Sequence, residues 1–68
     1  MIPIFTADQV KVGKGDPIYD YYNMKPGVID SEPDDSGWFW VLHSDGSKDL
    51  LDGTRICTLK HAERMGWK

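Results

Sequence analysis

The clearest pattern in the chain is Trp38-Phe39-Trp40-Val41-Leu42-His43, in which every residue but the last is aromatic, β-branched or aliphatic. Such side chains fit a pleated strand. Alternation puts Trp38, Trp40 and Leu42 on one face and Phe39, Val41 and His43 on the other. Because both faces are apolar, this strand is expected to be central and covered on both sides. Val10 to Asp16 reads as an approach ending in a turn. Pro17 to Tyr22 reads as the strand that follows, since a proline is tolerated at a first strand position. Pro26-Gly27 suits the centre of a type II turn, so the next strand is expected to open at Val28. Ser31 to Gly37 is a polar hairpin tip. Asp45-Gly46 predicts a type I′ turn, with Lys48 to Leu51 as the returning strand. Asp52-Gly53 marks another turn, and Thr54 to Cys57 a short last strand. Thr58 can cap a helix, and Gly66 sits where a helix commonly stops. Leu59, Ala62 and Met65 recur at helical spacing and are expected to face the sheet, with Trp67 clamping the helix end.

Turn residues at roughly eight- to ten-residue spacing describe a small all-β fold. The entry Gly15-Asp16-Pro17-Ile18-Tyr19 comes first, then Gly27-Val28-Ile29 opening a strand. The aromatic run Trp38 to Val41, the Asp45-Gly46 hairpin and Leu50-Leu51 follow in order. This succession resembles the small SH3-like barrels of the KOW and Tudor kind, over roughly residues 12 to 57. The resemblance implies a mostly β domain: a five-stranded SH3-like barrel with a short C-terminal α-helix. Residues 1–68 then form one domain, with an N-terminal arm at 1–9, the barrel at 10–57 and the helix at 58–66. Barrels of this kind host nucleic-acid-binding, methylated-residue-binding and peptide-binding modules alike, so the fold does not choose among them.

Composition narrows the classes. With 40% hydrophobic and 28% charged residues, the chain is not a disordered polymer. A chain of this length buries only about 60% of its unfolded surface, so single large side chains matter. Cys57 is the one cysteine, which excludes an intrachain disulfide and fits a reducing, cytoplasmic setting. Met1 to Phe5 lacks the basic and long apolar regions of a signal peptide, and no apolar run is long enough to cross a membrane. The net charge is −3 and unevenly spread. Residues 26–53 carry Asp30, Glu32, Asp34, Asp35, Asp45, Asp49 and Asp52 against Lys48 alone, whereas residues 54–68 carry Arg55, Lys60, Arg64 and Lys68 against Glu63. Phosphate binding needs a basic surface, so the acidic balance opposes a nucleic-acid partner.

Catalytic and metal constellations are incomplete. Cys57 and His61, with His43 as a third group, fall short of the four ligands of a structural zinc site. Glu32, Asp34, Ser36 and Gly37 begin a calcium-loop pattern that ends on His43, where a bidentate Glu is needed. Cys57 lacks a base held in place by a third group. Gly13-Lys14-Gly15 is not a phosphate loop. No catalytic residue, metal or cofactor is therefore assigned. The aromatics carry more information. Tyr19, Tyr21, Tyr22, Trp38 and Trp40 combine apolar area with a polar handle, as interface residues do. They are the expected partner-binding surface, for a protein partner or a second copy. The arm, through Ile2, Ile4 and Phe5, is expected to cover part of the outer face of the Trp38 to His43 strand or to add to a neighbour's sheet edge. Two alternatives follow from the resemblance. One is a KOW-like nucleic-acid module using Lys11, Lys14, Lys25, Arg55, Lys60 and Arg64. The other is a Tudor-like cage for a methylated cation, built from Tyr19, Tyr22, Trp38 and Asp20. The leading expectation is a small non-enzymatic interaction module or accessory protein.

Overall fold

A computed structural model describes residues 2–68. Its architecture follows from the alternation along one strand. In Phe39–His43, residues 39, 41 and 43 are buried while Trp40 and Leu42 are exposed. The strands in chain order are β1 (Ile4–Phe5), β2 (Lys11–Val12), β3 (Pro17–Asp20), β4 (Lys25–Ile29), β5 (Phe39–His43) and β6 (Lys48–Leu51). Strands β3 to β6 form one antiparallel meander in the order β3-β4-β5-β6, and β1 and β2 form a separate two-stranded hairpin. The register sets Ile18 beside Gly27 and Gly27 beside His43, and sets Val41 between Ile29 and Asp49. Ile18, Ile29, Phe39, Val41 and Leu51 thus share the inner face, where they pack with Ile4 and Ile56. Gly27 lets β4 approach β5, since a Cβ there would lie 2.8 Å from both Leu42 O and Val41 Cγ1.

The five-stranded barrel is not formed. The described residues make two antiparallel sheets, of two and four strands, with one α-helix and no closed barrel. The segment expected as the fifth strand is diverted by Asp52. Its carboxylate accepts from Thr54 N at 3.1 Å and Thr54 Oγ1 at 2.6 Å, and pairs with Arg55 at 2.9 Å. These bonds wind Gly53–Arg55 into a 3₁₀ turn. Only one isolated bridge remains, between Tyr19 and Cys57.

Residues 2–9 of the N-terminal arm are tied into the fold. Met1 lies outside the described residues, but Ile4 is in the core and β1 pairs with β2. The Asp8 carboxylate accepts from Thr58 N at 3.1 Å and Thr58 Oγ1 at 2.6 Å. This joins the N-terminal hairpin to the start of α1 (Leu59–Met65). The helix has the expected caps: Thr58 accepts from His61 N, and Gly66 is left-handed with φ 77°. Ala62 is buried beside Tyr19 and Cys57, with Tyr21, Leu59 and Trp67 packed around them. Met65, expected to face the sheet, is exposed, because each three-residue step falls about 60° short of a full helical turn and carries the row away from the side on which Ala62 is buried.

Two turns differ from expectation. Pro26 and Gly27 belong to β4, and the chain reverses earlier, at Tyr21 to Met24, with Met24 at φ 60°. Pro26 is tolerated because the backbone of its β3 partner Tyr19 bonds to Cys57 instead, and the β4–β5 ladder ends one residue later, at Gly27. At Asp45-Gly46 only Gly46 has positive φ, 89°. Gly46 N donates to His43 O and His43 N to Ser47 O. This is the three-residue loop with a glycine bulge, not the two-residue type I′ turn.

Candidate protein-docking face

The outer face of the meander is apolar and open. Val28 pairs across with Leu42, and Trp40 with Leu50, so the four side chains form one contiguous block. Trp40 is 46% exposed and Leu50 45%. Strand β5, expected to be covered twice, is therefore central but covered on one side only: neither the N-terminal hairpin nor α1 lies over this block. The helix reaches only its margin, where Leu59 joins Pro17, Pro26, Val28 and Leu42 around an apolar hollow of about 290 Å³ with Lys68 at the mouth. Hydrogen bonds fix the backbone at Trp40. Asp30 N donates to Trp40 O at 2.8 Å, and Trp40 N donates to Ser31 Oγ at 2.9 Å. Lys48 and Asp30 pair at 2.9 Å on the rim.

The aromatic residues singled out from the sequence do not form one surface. Tyr19 is buried, and its hydroxyl donates to Trp67 O at 2.8 Å. Tyr21 stacks on Trp67 with centroids 5.3 Å apart, and its hydroxyl donates to Thr54 O. Tyr22, 66% exposed, and the half-buried Trp38 both flank Arg55, whose guanidinium carbon lies 5.6 and 5.0 Å from the two ring centroids. Two elements of the imagined cage thus come together, but the chain's own cation stands between them. Asp20, the cage's acidic element, is buried on the inner face. Only Trp40 belongs to the open apolar block. Its neighbours Val28, Leu42 and Leu50 were not singled out, although period-two alternation through β5 and its hairpin partner carries the information.

The six basic residues are dispersed. Lys25 pairs with Asp45 at 3.0 Å and Arg55 with Asp52. Lys11 and Lys14 line a hollow that also holds Asp16 and Glu32. Lys60 and Arg64 line another with Asp8.

A polar network occupies one end of the inner face. His43 Nε2 lies 2.6 Å from Asp20 Oδ2, both side chains being fully buried. Asp20 also accepts from Asn23 N at 3.0 Å and Asn23 Nδ2 at 2.7 Å, so the imidazole is the donor in that pair. Asn23 Nδ2 reaches Asp49 as well, at 3.1 Å. Asp20, His43 and Asp49 are metal-type ligands brought together. Their atoms are nevertheless engaged with one another and with the Asn23 amide, which fills the place between the carboxylates. Ser47 Oγ lies 3.2 Å from His43 Nδ1, completing a serine-histidine-aspartate sequence. That hydroxyl gives its proton to Asp45 Oδ1 at 2.6 Å, so it is not poised as a nucleophile. Cys57 is buried, and burial, with Asp8 nearby, pushes its thiol up to about 11. It is a thiol, not a thiolate, at neutral pH.

No protein-family model, no curated protein and no solved structure matches this chain.

Proposed function

We propose that this protein is a small non-enzymatic interaction module that docks a protein partner on the outer face of its meander. The observation that carries the reading is the contiguous, open block of Val28, Trp40, Leu42 and Leu50 beside an apolar hollow. Soluble domains rarely leave such a patch uncovered without a use for it, and a tryptophan at its centre is the residue type most enriched at binding hot spots. The lysines and arginines are dispersed, and two of them, Lys25 and Arg55, are paired with aspartates, which argues against one basic surface for phosphates; Arg55 also stands between Tyr22 and Trp38. The docking face therefore has better support than the nucleic-acid and methylated-cation readings.

Site-specific photo-crosslinking in cells tests the proposal. A photoreactive phenylalanine analogue replaces Leu42, Leu50 or, elsewhere on the molecule, Lys14. The expected outcome is one discrete protein adduct at positions 42 and 50, absent at 14 and lost in the Trp40→Ser background. Absence of an adduct at 42 and 50, or the same adducts at all three positions, overturns it.

A further inference from the structure

Two rows of side chains cross the outer face of the meander. In one, Val28 lies opposite Leu42 and Leu42 opposite Lys48. In the other, Asp30 N donates to Trp40 O, and Trp40 lies opposite Leu50. Alternation puts both rows on the same face. The apolar members fill a diagonal band. Asp30 and Lys48 hold the two remaining corners, one on the β4 side and one on the β6 side. Their carboxylate and ammonium nevertheless meet at 2.9 Å. Opposite corners can touch only by reaching over β5, between Trp40 and Leu42. The pair therefore crosses the join between the two halves of the apolar block, Trp40 with Leu50 and Val28 with Leu42. A lysine reaches this far by laying its stem along apolar surface while its head group stays in water.

A partner that covered the face with this pair in place would take both charges out of water, which is costly. Opening the pair is not. Its side chains are 53% and 37% exposed, and exposed pairs hold weakly. Neither residue makes another ion pair among the described residues, so opening breaks this contact alone. The lysine stem is flexible enough to swing its charge outward. We infer that the Asp30–Lys48 pair is an openable strap across the docking face: closed, it screens the join between Trp40 and Leu42, and docking proceeds with it open. This control rests on the docking-face reading and acts on that same site. It makes the face more receptive as salt rises, whereas a face that recruits its partner by charge becomes less so.

Two readouts test the strap. With no partner present, a neutral gadolinium chelate added to isotope-labelled protein reports, through NMR relaxation, how open the Trp40 indole and the Leu42 methyl groups are. The wild type is expected to open as salt rises from about 0.01 to 1 M, over which the screening length falls from about 30 to 3 Å. Asp30→Asn keeps the shape and removes the charge, and is expected to be open already at low salt and indifferent to salt. Exchanging the charges, Asp30→Lys with Lys48→Asp, is expected to restore the salt-dependent closure. Trp67, stacked on Tyr21, is the internal control. In cells, the photoreactive analogue at position 50 is expected to give about two- to fivefold more adduct in Asp30→Asn than in the wild type, and to return to the wild-type yield in the exchanged variant. Circular dichroism establishes that each variant is folded. Equal accessibility in all three proteins overturns the strap, as does an adduct yield that stays level or falls in Asp30→Asn. Adducts at position 50 with unchanged accessibility retain the docking-face reading and reject the strap alone. Opening at Trp40 with no adduct in any background rejects the docking-face reading, and the control falls with it.

Discussion

His43 has neither ring nitrogen free. One lies against the Asp20 carboxylate, and the other faces the Ser47 carbonyl and hydroxyl oxygens, each at 3.2 Å. Both side chains are fully buried at one end of the inner face, where an uncompensated charge is costly. His43→Leu strands the Asp20 carboxylate and is expected to cost about 3–5 kcal/mol, measured by urea denaturation. Asp20→Asn added to it removes the stranded charge, so the double variant is expected to be more stable than His43→Leu alone. A double variant no better than the sum of the two single losses removes the coupling. Nothing in the sequence marks this pair. Histidine ends the aromatic run and aspartate ends a tyrosine-rich strand, and only the register through Gly27 brings them together.

At the scale of elements, the two sides of β5 give opposite predictions. Phe39 fills the core, and Phe39→Ala is expected to cost about 3–5 kcal/mol. Trp40→Ser, on the open face, is expected to change stability by no more than about 0.5 kcal/mol while removing docking. Equal losses for both, by denaturant titration, contradict the one-sided cover described above. The alternation was legible in the sequence because its period is intrinsic to a strand. The missing cover was not, since it depends on where the N-terminal hairpin and α1 come to rest. Helix α1 was legible from its caps, Thr58 and Gly66. The 3₁₀ turn was not, because Thr54 to Cys57 satisfies strand propensity and Asp52 overrides it through hydrogen bonds. The carboxylates that accept such hydrogen bonds are acidified. Burial alone would raise Asp8 and Asp52, but bonds from Thr58 and Thr6 to Asp8, and from Thr54 and Arg55 to Asp52, hold both below the usual 3.8. Hydrogen bonds from Ser47 and then Lys25 lower Asp45 as well. A carboxylate lowered in the fold contributes stability that is fully present above its unfolded value and is lost as pH falls through the folded one. The melting temperature is therefore expected to hold down to about pH 4 and to drop below it, and Asp8→Asn should flatten that drop. An unchanged acid limb in Asp8→Asn rejects the role given to this tie.

For the molecule as a whole, the order of strands from Pro17 to Leu51 was readable from turn chemistry, whereas closure was not. Whether a meander closes depends on the segment that follows it, and here that segment makes a turn and a single bridge. The surface was legible only in part. Counting aromatics pointed to Trp40, but it could not separate an exposed ring from Tyr19, sealed under Ala62 and bonded to Trp67. What joins the molecule is a few contacts between segments far apart in sequence: Asp8 to Thr58, 50 residues away, and Tyr19 to Trp67, 48 residues away. These contacts set a timetable. At a ribosomal rate of about 5–20 residues per second, residue 8 waits several seconds before Thr58 exists to receive it. The Ile4 hairpin has no lasting place in the core until then. Docking of the N-terminal hairpin must follow synthesis of residue 58, and closing a loop over this distance is slower than forming the local hairpins of the meander. In that interval the apolar inner and outer faces of the same sheet are exposed together in the nascent chain.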